Sequence, residues 1–126
     1  MAADAYLKSA AAQLQQAATA VKQSADQVRS DMANFKKQAD SDISSLQTEI
    51  KVRQVELARN KDNEQHAASL SVLIGKLRQD LDMRKQELDQ QLPAYEQAAK
   101  SKESTVQGLQ SQAQGLQSQA GDPNLQ

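Results

Sequence analysis

The chain has 126 residues, 38% of them hydrophobic, but only two Tyr, one Phe and no Trp, so the large side chains that fill a globular centre are missing. Its net charge is −1, with Lys and Arg interleaved among acids, which leaves no basic stripe for nucleic acid. The absence of Cys excludes a disulfide framework, a thiolate nucleophile and a cysteine-bound zinc.

Gln makes up one residue in six, and Ala, Ser, Leu, Lys and Asp dominate the rest, a helix-favouring inventory interrupted by four Gly and two Pro. Asp4, Gln13, Gln15 and Gln16 break the most apolar part of the first thirty residues, which is unlike a secretory signal. The longest mostly apolar run, 67–75, is far short of the ~20 residues that cross a bilayer. The expected location is cytoplasmic, with non-classical export as the other route.

From the start, apolar positions fall at Leu7, Ala11, Leu14, Ala18, Val21, Ala25, Val28, Met32, Phe35 and Ala39, in alternating steps of four and three. That is a heptad seam. A second consecutive step of four, to Ile43, is a stutter, which locally unwinds a supercoil; the alternation then resumes through Leu46, Ile50, Arg53 and Leu57. Residues 58–66 are almost wholly polar. The seam returns at Ala67, Leu70, Ile74, Leu77, Leu81, Arg84 and Leu88, stutters again to Leu92, and continues through Tyr95, Ala99, Lys102, Val106, Leu109, Ala113, Leu116 and Ala120.

Read backwards from Ala120, these spacings match those read forwards from Leu7, stutter included, so partners have numbers that sum to 127. Antiparallel helices place such positions in common layers. Towards the termini an Ala on one side usually faces a Leu on the other, as in Ala11 with Leu116 and Leu14 with Ala113, which fills a narrow space without voids. The symmetry centre falls between Asn63 and Glu64. The expected fold is therefore all-α, a long antiparallel two-helix coiled-coil hairpin; a continuous helical rod pairing antiparallel as a homodimer satisfies the same symmetry. As one domain over 1–121, it comprises a helix from about 4 to 60, a polar tip at about 60–66 and a helix from about 67 to 120 kinked near Pro93, with a tail at 122–126.

Several residues stand out from this pattern. Val52, Val55, Val72 and Met83 lie off the seam and form the candidate protein interface. Arg53, Arg84 and Lys102 occupy seam positions, where a cation lays its stem along the groove and sends its charge outward, setting register at some cost in stability. Asp62, Glu64 and His66 cluster at the tip, but no second His completes a metal site, so neither metal nor cofactor is expected. No pocket is expected in which a carboxylate or His66 would be desolvated for catalysis, and an enzyme is the least favoured class.

Residues 107–113, Gln-Gly-Leu-Gln-Ser-Gln-Ala, recur unchanged as 114–120, and Gly108 and Gly115 weaken the helix there. Charge is sparse at both ends of the chain, with Asp4, Lys8 and Lys22 in the first 25 residues and Asp122 alone after Glu103. A hairpin brings these stretches side by side as a Gln- and Ser-coated base.

The leading functional expectation is a structural or adaptor coiled coil acting through a protein partner or by self-assembly. An amphipathic coat on a lipid or granule surface is a second class, disfavoured by the narrow, Ala-rich seam and the lack of Trp. A third is an exported or export-apparatus helical hairpin. The layout resembles small secreted helical hairpins that carry a Trp-x-Gly turn, but with no Trp that turn is missing and no family is assigned.

Overall fold

The computed structural model describes residues 2–121; the tail expected at 122–126 lies outside them. Two helices account for nearly all of these residues, α1 at Ala2–Arg59 and α2 at Glu64–Ala120, and no strand occurs among the described residues. They pack antiparallel as an all-α helical hairpin. The chain reverses direction after Arg59, which excludes the continuous rod.

The reversal is made by Asn60, Lys61, Asp62 and Asn63, with no Gly and no residue at positive φ among the described residues. Asn60 ends α1: its backbone N–H donates to the Leu57 carbonyl at 3.2 Å and its side-chain Nδ2 to the Glu56 carbonyl at 2.7 Å. The Asn63 N–H then donates to the Asn60 carbonyl at 3.1 Å, closing a four-residue turn. Asn63 caps the next helix. Its Oδ1 accepts the His66 N–H at 3.1 Å and its carbonyl accepts the Ala67 N–H at 2.9 Å. This cap is why α2 begins at Glu64, three residues before its first seam position, Ala67: a satisfied N-terminal turn forms regardless of which face is apolar.

Every seam position read from the spacing is buried or half-buried. The packing divides into two compact units, one of Met1–Asp31 with Tyr95–Gln126, the other of Met32–Ala94.

In the first unit small residues carry the burial. Ala11, Ala18, Ala25, Ala99, Val106, Ala113 and Ala120 are buried, while Leu7, Leu14, Val21, Val28, Lys102, Leu109 and Leu116 are only half-buried. In the register whose partners sum to 127, nearly every layer pairs one buried small side chain with one larger, half-buried one. Each covered methyl contributes on the order of 0.8 kcal/mol. Stability here is spread thinly over many layers, and the crossing Arg29 supplies direction. Its Nη1 meets Glu96 at 3.2 Å, and its Nε and Nη2 grip Glu103 at 3.1 and 2.5 Å. The hydrogen bonds to Glu103 and then Glu96 raise the Arg29 pKa, and the bond from Arg29 lowers that of Glu103.

The second unit is more conventional. Ile50, Ile74 and Leu77 form a buried cluster against which Leu46, Leu57 and Leu81 pack. Ile50 and Leu77, and Leu46 and Leu81, pairs whose numbers sum to 127, all belong to this one cluster. Burial of branched aliphatic side chains is worth roughly 1.5–3 kcal/mol each when complete, so each layer of this unit contributes more than an Ala layer. Pro93 is exposed and lies inside α2, which runs on through it to Ala120.

Candidate interaction site

Two grooves of the second unit run along opposite sides of the helix pair. The first, about 640 Å³, is lined by Asp42, Ser45, Leu46 and Glu49 from α1 and Asp80, Met83, Arg84 and Glu87 from α2. The second is lined by Gln47, Ile50, Lys51 and Gln54 from α1 and Arg78 and Leu81 from α2. Helical periodicity puts them on opposite sides. From Asp42 to Lys51, and from Arg78 to Glu87, is nine residues, and nine steps of about 100° come to half a turn.

The first groove is acidic. Its four carboxylates face a single cation, Arg84, whose Nη2 meets Asp42 across the helix pair at 2.9 Å and whose Nη1 meets Glu87 at 2.6 Å. The guanidinium also stands 5.5 Å from the centroid of the Phe35 ring. The hydrogen bond to Glu87 is the largest cause of a raised Arg84 pKa, opposed by desolvation. Arg84 is thus a seam cation whose stem is covered and whose charge reaches out of the seam. Arg53 behaves alike: half-buried, it meets Glu56 at 2.9 Å and Glu49 at 4.0 Å. Lys102, in the other unit, is half-buried as well.

The second groove is basic. Lys51 and Arg78 flank Ile50 and Leu81, no carboxylate lines it, and neither cation has an ion-pair partner among the described residues.

The four residues of the candidate interface are all exposed, Val52 and Val55 at 50%, Met83 at 60% and Val72 at 74%. They do not form one patch. Val55 lies five residues after the seam residue Ile50 and Val72 five before Leu77, so each points away from the seam, on the outer side of its own helix. Of the four, Met83 lines the acidic groove and none lines the basic one. Leu73, 36% exposed, is a further large apolar side chain reaching solvent from this unit.

Asp62, Glu64 and His66 do not converge: among the described residues no group of three His, Asp or Glu is placed to hold a metal ion. No helix among them is long and apolar enough to cross a membrane. Comparison of the chain with known protein families, curated proteins and solved structures finds no match.

Reading the sequence for its seam passed over Arg29 and the two grooves. The signal was there in the positions flanking the seam: Glu96 and Glu103 are seven residues apart on one side of α2, and Arg29 adjoins Val28.

Proposed function

We propose that this chain is a coiled-coil scaffold that works by binding protein, whether another protein or itself, through the unit Met32–Ala94. One observation carries the reading. Of the six large hydrophobic side chains left exposed among the described residues, Val52, Val55, Val72, Leu73 and Met83 belong to this unit and Tyr6 to the other. Burying such side chains against a partner gains the free energy that the isolated hairpin forgoes.

The triple variant V52E/V55E/V72E tests it. Circular dichroism is expected to show unchanged helicity, while cross-linking and affinity capture with the variant lose the species obtained with the unaltered chain. Retention of every captured or self-associated species would overturn the reading. Loss of helicity would show that these side chains belong to the core.

A further inference from the structure

We infer that the two grooves of the unit Met32–Ala94 are the two halves of a self-interaction, the acidic groove of one copy seating on the basic groove of the next. This rests on the scaffold reading and names its partner, a second copy of this chain.

Charge complementarity is the first argument. On the acidic side Arg84 is already held by Asp42 and Glu87, Asp80 has no ion partner among the described residues, and Glu49 has only Arg53 at 4.0 Å. On the basic side neither Lys51 nor Arg78 has an ion partner among the described residues. One and two turns on from Arg78, Asp82 and Lys85 cancel, leaving the two groove cations uncompensated.

Position along the helices is the second. Lys51 is two residues from Glu49, and Arg78 two from Asp80, an axial offset of about 3 Å. A copy displaced sideways, with no more than that slip along its axis, brings Lys51 to Glu49 and Arg78 to Asp80 together. The same displacement carries Met83, two residues from Leu81, over the apolar floor formed by Ile50 and Leu81. A flexible, polarizable Met suits such a seat.

The geometry also sets the symmetry. Two acidic grooves repel, as do two basic ones, so a twofold face-to-face dimer is disfavoured. Acidic on basic leaves a free groove at each end, a heterologous contact that adds copies without closing.

Sedimentation of the full chain tests this at about 10 mM and about 1 M salt, because screening is weak in the first and nearly complete in the second. Species larger than dimers are expected to grow with concentration at low salt and to vanish at high salt. K51E/R78E carries two acidic faces and E49K/D80K two basic ones, so each alone should lose more than roughly tenfold in association constant. An equimolar mixture should assemble again, since every contact is then complementary. Circular dichroism verifies the fold of both. The neutral variant K51Q/R78Q, expected to be weakened in the same direction, serves if a reversal unfolds. A wild type that stays monomeric or stops at dimers at low salt would overturn the inference, as would charge reversal without effect or a mixture that fails to assemble. V52E/V55E/V72E leaves both sets of groove charges intact. A monomeric wild type whose capture of partners still depends on those valines therefore sinks the inference and spares the scaffold.

Discussion

Arg29 on α1 grips Glu103 on α2 at two points, Nε to Oε2 at 3.1 Å and Nη2 to Oε1 at 2.5 Å. The contact holds Glu103 ionised and lowers its pKa below the ordinary 4.5. A carboxylate whose folded pKa is depressed contributes stability that is present above its unfolded pKa and lost as pH falls through the folded value. Urea midpoints of wild type and E103Q are therefore expected to differ at neutral pH and to converge in acid below the depressed pKa. Both partners are partly exposed, so the difference should be small and should shrink in salt. A gap that persists unchanged in acid would remove the clamp as its cause.

The turn depends on a side chain. Asn63→Ala removes the oxygen that accepts the His66 N–H and is expected to cost about 1 kcal/mol. Asn63→Asp keeps that acceptor and should retain most of the stability. Chemical denaturation of the three chains reads the order, and an Asp variant as weak as the Ala variant would contradict it.

Alanine at the seam is a size requirement. Ala18 is 2% exposed, and Ala18→Leu should force the helices apart at a cost of about 1–3 kcal/mol. Ala12→Leu, on the exposed side of α1, is the control and should change stability little. Equal midpoints for the two variants would show that the helices have room to spare.

The glycines of the repeated heptads are not packing devices. A Cβ added at Gly108 or Gly115 meets no heavy atom within 4 Å, so neither allows a close approach of the helices. Gly108→Ala and Gly115→Ala are each expected to raise stability, by up to about 1 kcal/mol, through helix propensity. Thermal unfolding checks the sign. A loss on substitution would reveal a contact that the hairpin alone does not contain.

The apolar spacing determined which face of each helix is covered, because burial on a helix follows a period of 3.6 residues that is already present in one dimension. The matched stutters near Ala39 and Leu88 carried more, since they single out one register, and the residues it assigns to neighbouring layers, Leu46 with Leu81 and Ile50 with Leu77, fall in one cluster. The small Ala layers were legible for the same reason.

Tertiary structure alone decided the rest. Whether the polar stretch turns or continues depends on hydrogen bonds at Asn60 and Asn63 that no periodicity records, and it is the turn that makes one chain a hairpin. Whether Val55 and Val72 share a surface depends on which sides of two different helices face each other, so two off-seam valines that look alike in sequence end on opposite flanks. The same folding gathers Asp42 and Glu49 with Asp80 and Glu87 on one side and leaves Lys51 and Arg78 on the other. Charges that alternate along the chain are sorted by face only when the second helix supplies its half of each groove, because electrostatic character belongs to a surface and not to a stretch of sequence.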